Sequence, residues 1–286
     1  MTVKIITDSA ADLPKELLAQ YDIDVVPLRV YDEQETEFLD GVTLEPKQLF
    51  AGMREEKVYK TSLPSYETLH HTFTKYAAQN IPCIYLAFSS ELSGTYQSAV
   101  LVKQDVQEEQ PQIDLDVVDT KCASIGQGLV VLKAAQLAQQ GAAKEDILKH
   151  ISFWTGHVEH IFTVDDLQTL VRGGRVSKVA GFIGGLLNIK PLLHVEEGKL
   201  IPLEKLRGRK KVLQRMVEIM AERGEGLETQ TIGISHGDDL ESAQKLQEMI
   251  TERFGCQTFV INSIGAAVGA HAGPGTLALF FLNEAE

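Results

Sequence analysis

A chain of 286 residues exceeds the usual single-domain length and suits two domains of about 100–150 residues each. With 44% hydrophobic and 23% charged residues, it is neither a disordered chain nor a disulfide scaffold. The formal charge of −13, from 40 Asp and Glu against 27 Lys and Arg, argues against nucleic acid as a ligand and against a transcriptional regulator, because a polyphosphate is repelled unless the cations gather on one face.

The sequence opens directly on strand-like VKIITD. No basic-then-apolar leader precedes it, so a cytoplasmic protein is expected. Asp8, Ser9 and Asp12 of TDSAAD follow this strand, where phosphate chemistry often sits in α/β sheets. An aspartyl-phosphate phosphatase places two aspartates two apart, whereas these are four apart; Asp8 therefore reads as structural and Asp12 as a helix cap.

The runs DVVPLRV, IPCIYLAFSS and LDVVDT read as further strands. Between and after them come helical patterns at 14–21, 45–55, 65–79, 94–108 and 124–140, the last stopped by Gly141. That alternation implies a parallel sheet covered by helices. From about residue 155 the pattern changes. HIFTVDD and a glycine-rich helical region are followed by PLLHVEEGKLIPLEKLR, a hairpin turning at Glu197-Gly198. Helices at 210–222 and 240–254 flank the strand TIGISHG and precede QTFVINSI and LALFFLN. The expected architecture is an N-terminal parallel α/β domain (1–155) plus a C-terminal α+β domain (156–286) with a mainly antiparallel sheet, and a cleft between them.

The most apolar stretch, Val179 to Ile189, is interrupted by three glycines and is far short of the roughly 20 residues needed to span a bilayer. No integral membrane span is expected. The cysteines Cys83, Cys122 and Cys256 form no CxxC pair and fit a reducing compartment. The common enzyme fingerprints G-x-x-x-x-G-K-[ST], G-x-G-x-x-G and H-E-x-x-H are absent from the sequence. The adjacent His70 and His71 do not share a helix face, so spacing gives no metal cluster.

The most informative segment is IPCIYLAFSSELSGTYQSAV, an apolar strand ending in a small-polar loop that opens a helix near Gly94. In an open parallel sheet, a helix N-terminus at the carboxyl end of a strand offers free N–H groups to an anion. Ser93 and the Gly94 N–H either face that ligand or serve the helix as its cap. The loop KTSLPS brings Thr61 as a second hydroxyl, with Ser65 as a cap. Arg172 in LVRGGRVS can serve an acid or lie on the surface. His271, in IGAAVGAHAGPG, is either close to ligand or a buried structural histidine. The basic run Arg207, Arg209, Lys210 and Lys211 is either a solvated face or a dock for an anionic partner.

Taken together, ITDSAADLP, KTSLPS, FSSELSGTYQSA, LVRGGRVSKVAGFIGGLLNIKPLL, RGRKK and HAGPGTLAL resemble the DegV family in order and spacing across essentially the whole chain. The resemblance implies a fatty acid buried between two domains, its carboxylate held by Thr61, Ser93 and the Gly94 backbone with Arg172 and His271 nearby. It implies no cofactor and no metal. In bacteria with a fatty acid kinase, similar proteins present the acid to that kinase for acyl phosphate formation feeding phospholipid synthesis. Such a protein is a carrier and not an enzyme, and Arg207 and Arg209 then lie toward the kinase. The competing reading is a serine acyl hydrolase or thioesterase with Ser93 activated by His271.

Overall fold

The structure, a computed structural model, describes residues 2–175 and 189–285. The expected helix across the glycine-rich segment lies in part outside them.

Four strands, β1 (Lys4–Asp8), β2 (Asp24–Val26), β6 (Cys83–Ala87) and β7 (Leu115–Asp119), make an all-parallel sheet in the order β2-β1-β6-β7. β1 and β6 are buried along their whole length, as strands covered by helices on both faces must be. The crossover helices are α1 (Lys15–Gln20), α3 (Tyr66–Ala78) and α4 (Thr95–Glu109), and α5 (Ile125–Gln139) follows the sheet's last strand and packs on β1. DVVPLRV, expected as one strand, is two. Pro27 has no N–H to continue the ladder, so β2 stops at Val26 and β3 (Arg29–Tyr31) starts a separate antiparallel sheet, β4-β3-β5, with β4 (Glu37–Leu39) and β5 (Lys60–Ser62). These strands are too short to show alternation in sequence. Helix α2 (Pro46–Arg54) lies between β4 and β5.

The second half builds a six-stranded sheet from β8 (Val158–Thr163), β9 (Ile189–Glu196), β10 (Lys199–Arg207), β11 (Thr231–His236), β12 (Thr258–Ser263) and β13 (Leu277–Leu282). The order is β10-β9-β8-β13-β11-β12, and every pairing except β11–β12 is antiparallel. The β9–β10 hairpin turns at Glu197 and Gly198, both at positive φ (50° and 79°), which is the two-residue turn that matches strand twist. Helix α6 (Lys144–His157), which the sequence reading did not identify, leads into β8, and α7 (Leu167–Arg172) follows it. Helices α8 (Arg209–Arg223) and α9 (Leu240–Phe254) cover the outer face, and α10 (Ala266–Ala272) crosses back toward the first half.

Helix α5 explains how the halves join. Its residues Leu129, Val130, Val131, Leu132, Ala134 and Ala135 are all buried, and a helix apolar all round must be packed on every side. One apolar cluster therefore contains β1 and β6 side chains (Ile5, Ile84, Leu86), α5, and Phe162 and Phe280 of the six-stranded sheet. The packing is tight. A Cβ at Gly126 would sit 2.2 Å from His160 Nε2, and that ring is fixed by the Ala123 N–H and the Phe280 edge. Gly126→Ala is expected to cost about 1–3 kcal/mol through overpacking, measured by denaturant unfolding; an unchanged midpoint would show that the ring can move aside.

Candidate functional site

Between the two main sheets lies a cavity of about 240 Å³. The first half lines it with Leu28, Leu63, Phe88, Leu92 and Ala123, the second with Phe162, Leu170, Val195, Leu200, Ala278 and Phe280. Alternation along a strand puts every second residue on one face, so Thr276, Ala278 and Phe280 form a row under the cavity, beside His160 and Phe162 of β8. At about 3.4 Å per residue this row is roughly 14 Å long. Thr276 donates to the Ala272 carbonyl of α10 (2.8 Å); at the other end Phe280 meets the His160 ring edge-on, 5.2 Å between centroids.

The polar groups divide into two sets. Near α10, Thr61 Oγ1 and His271 Nε2 are 2.7 Å apart, and Ser93, Gly94 and Arg175 also line the cavity. β5 carries Thr61, the loop between β6 and α4 carries Ser93 and Gly94, and α10 carries His271. Gly94, the N-cap of α4, has no side-chain cap bond. Ser93 Oγ lies 2.8 Å from Thr95 Oγ1 and accepts from the Thr95 N–H (3.3 Å), so it serves the helix start and still lines the cavity. Burial, then the Arg175 charge, pushes His271 down to about 4, so its ring is neutral at pH 7. Arg175 has five donors; it gives one to the Leu92 carbonyl (3.2 Å) and another to the Gly173 carbonyl.

The second set is bonded within itself. Ser124 Oγ is 2.5 Å from Asp12 Oδ2 and 2.9 Å from Ser235 Oγ. His160 Nε2 accepts the Ala123 N–H (3.2 Å), which leaves its proton on Nδ1, facing the Val158 carbonyl (3.0 Å). Burial first, only partly offset by that carbonyl, holds His160 down at about 4. Ser124 is at φ 53°, ψ −143°, a strained backbone for a residue with a Cβ, held by those bonds. Sequence reasoning missed His160, Ser124, Ser235 and Arg175. For His160 a signal existed: it is two residues from Phe162, hence on the same strand face.

Arg172 requires a correction. It lies in a separate charged groove with Asp165, Asp166, Asp238 and Asp239, and Arg175 is the arginine that lines the cavity. The reason is local: α7 ends at Arg172, Gly173 packs against His271, where a Cβ would come 2.1 Å from Nδ1, and Gly174 turns the chain at φ 73°. Arg209 is also spent internally, with Nη2 2.6 Å from Asp239 and Nε 3.2 Å from Ser242 Oγ, whereas Arg207 is exposed at the end of β10. Asp12 does not cap α1, whose N-cap is Pro14. Its carboxylate instead reaches Ser124 and the Gly265 N–H (2.8 Å). Asp8 is buried and accepts from the Phe88 N–H (2.8 Å).

Ser93 and His271 are not paired with each other as a serine hydrolase would need. His271 faces Thr61 and Ser93 faces Thr95, and among the described residues no carboxylate is hydrogen-bonded to His271. Nor does any group of three or more His, Cys, Asp or Glu among them suit a metal ion. Among them, too, no helix is long and apolar enough to cross a membrane.

Residues 2–284 match the model of the DegV family, described as uncharacterised proteins. A DegV domain-containing protein of Clostridium perfringens is 40% identical over 98% of this chain and 97% of its own length. Among solved structures, a DegV family protein from Thermus thermophilus described for fatty acid binding superposes with a TM-score of 0.89 at 30% identity, covering 98% of this chain and 99% of that one. A stearic acid-binding protein from Eubacterium ventriosum superposes with a TM-score of 0.89 at 27% identity over 98% and 99%.

Proposed function

The chain belongs to the DegV family, and from that membership and the cavity we propose that it carries one long-chain fatty acid between its lobes, 1–155 and 156–286, without transforming it. The observation that carries this reading is an apolar cavity with two hydroxyls, a helix start and a guanidinium gathered near α10. The carboxylate would sit among Thr61, Ser93, the Gly94 N–H, Arg175 and His271; the tail would follow the Thr276–Ala278–Phe280 row.

The physics supports such a division. Each buried methylene contributes about 0.8 kcal/mol, so a tail of about fifteen offers roughly 12 kcal/mol gross, less the cost of ordering the chain. A buried carboxylate needs hydrogen bonds or a counter-charge, since leaving one unpaired costs several kcal/mol. Two hydroxyls, a helix start and a guanidinium answer that need.

The finer reading is that the carrier presents the carboxylate to a fatty acid kinase in the cytoplasm, and that the acyl phosphate feeds phospholipid synthesis. Family resemblance supports this, as does an exposed Arg207 on the face that would meet the partner; Arg209, held by Asp239, would orient that face and not contact the kinase directly. Three free, buried cysteines agree with a reducing compartment.

Native mass spectrometry of the purified protein, followed by solvent extraction, is expected to show one fatty acid per chain. A protein that is empty and cannot be loaded would overturn the carrier reading. Adding the loaded protein to a fatty acid kinase with ATP tests the second step; no acyl phosphate from loaded carrier would reject the kinase partnership alone.

A further inference from the structure

The TDSAAD segment and Asp40 have no part in the cavity lining, yet both are tied to the helix that carries His271. Asp40 Oδ1 accepts the Ala266 N–H at 2.6 Å, with the Ala267 N–H also bonded to this carboxylate. Asp12 Oδ1 accepts the Gly265 N–H at 2.8 Å. Asn262 Nδ2 donates to the Asp12 carbonyl (2.8 Å). Ser9 Oγ donates to Asp40 Oδ2 (2.8 Å) and accepts the Leu28 N–H (3.0 Å). Asp12 and Asp40 are 6% and 3% exposed, so these are enclosed contacts and not a solvated cap.

Helix α10 depends on such contacts. It reads AAVGAHA, with Val268 and His271 its only side chains larger than a methyl, so it has few side chains with which to lock its own position by interdigitation. Its start is positively polarised and has free N–H groups, which carboxylates satisfy. His271 is five residues after Ala266, roughly 7.5 Å along the axis. First-half residues therefore hold α10 at both ends: Asp12 and Asp40 at its start, Thr61 at His271.

We propose that Asp12 and Asp40 are positioning residues for the head-group site, fixing the start of α10 so that His271 is set against Thr61. This rests on the carrier reading, and it gives the family's opening motif a role in binding a ligand it does not touch.

A double-mutant cycle tests it, with cis-parinaric acid as a fluorescent fatty acid probe on the full-length protein stripped of lipid. Asp40→Ala is expected to weaken probe binding about tenfold in the wild-type background and less than about twofold when His271 is already alanine. Asp40→Asn, which keeps an acceptor oxygen for the Ala266 N–H, should restore most of the affinity. An equal loss in both backgrounds means that Asp40 acts on the fold generally and overturns the proposal. So does unchanged affinity of Asp40→Ala.

If Asp40→Ala does not fold, Gly265→Ala takes its place. A Cβ there would lie 2.6 Å from Asp12 Oδ1 and 3.2 Å from both Asp40 oxygens, displacing the helix without removing a carboxylate. The same disappearance of its effect in the His271→Ala background is expected, and a persistent effect counts against the proposal. Wild-type protein that binds no probe would instead reject the carrier reading, and the positioning role with it.

Discussion

Alanine at both Thr61 and Ser93 is expected to lower the affinity for a long-chain fatty acid on the order of a hundredfold while leaving the fold intact. A hydrogen bond to a charged group contributes about 1.5–3 kcal/mol, so two lost hydroxyls remove at least about 3 kcal/mol. The tail contacts, far larger in gross terms, are untouched, so binding weakens without vanishing. Thr61 needs a control of its own, because its removal also leaves His271 Nε2 without its 2.7 Å partner. The methyl ester of the same acid provides it: an ester has no carboxylate to lose, so it should bind wild type and variant with nearly equal affinity. Titration calorimetry with acid and ester reads both. Equal affinity of the two proteins for the free acid would place the carboxylate elsewhere in the cavity.

How much of this was legible before the structure depends on the kind of signal. Helix α9, expected at 240–254 from apolar positions at helical spacing, runs Leu240–Phe254, with Asp239 as its N-cap and Gly255 as its C-cap. The β9–β10 turn followed from Glu197-Gly198 between alternating strands. Helix α10 gave no such signal, since a run of alanine and glycine has almost no contrast between faces. The three-stranded sheet was hidden because no strand in it exceeds three residues.

In the site, Thr61, Ser93, Gly94 and His271 could be nominated from small-polar loops and the family resemblance, and all four line one cavity. Arg172 and Arg175 could not be told apart, because the difference rests on a left-handed turn at Gly174 and the approach of Gly173 to His271. Both are three-dimensional facts. The ties from Asp12 and Asp40 to α10 span more than 220 positions in sequence, a separation at which local pattern carries no information.

Those ties have a cost that a pH series should expose. Burial, the largest cause, raises Asp40 to about 6 and Asp8 to about 6, and raises Asp12 as well. A carboxyl whose folded pKa exceeds its unfolded value near 3.8 binds its proton more tightly when folded. Its contribution is therefore fully present below about pH 4 and is lost as pH rises through about 6. For Asp40 the loss amounts to about 3 kcal/mol. His160 and His271, both held down near 4, act in the opposite direction over the same range, so the wild-type curve alone conceals the effect.

The difference between Asp40→Asn and wild type reveals it, because the histidines are common to both. The charged neighbours around Asp40 are also retained: Asp8 at the end of β1 and Asp12 beyond it, Lys15 and Glu16 of α1, Glu45 and Lys47 at α2, and His236 at the end of β11 with Asp238 beyond it. The amide cannot titrate, so the stability of the variant relative to wild type should improve by about 3 kcal/mol between pH 4 and pH 7, read from urea midpoints. A difference that stays flat across that range would show that Asp40 ionises normally when folded. The expected rise would mean that the chain keeps a buried carboxylate that destabilises it at neutral pH, which is reasonable only if its acceptor oxygens do something other than stabilise the fold. Holding the start of the helix that carries His271 is such a task.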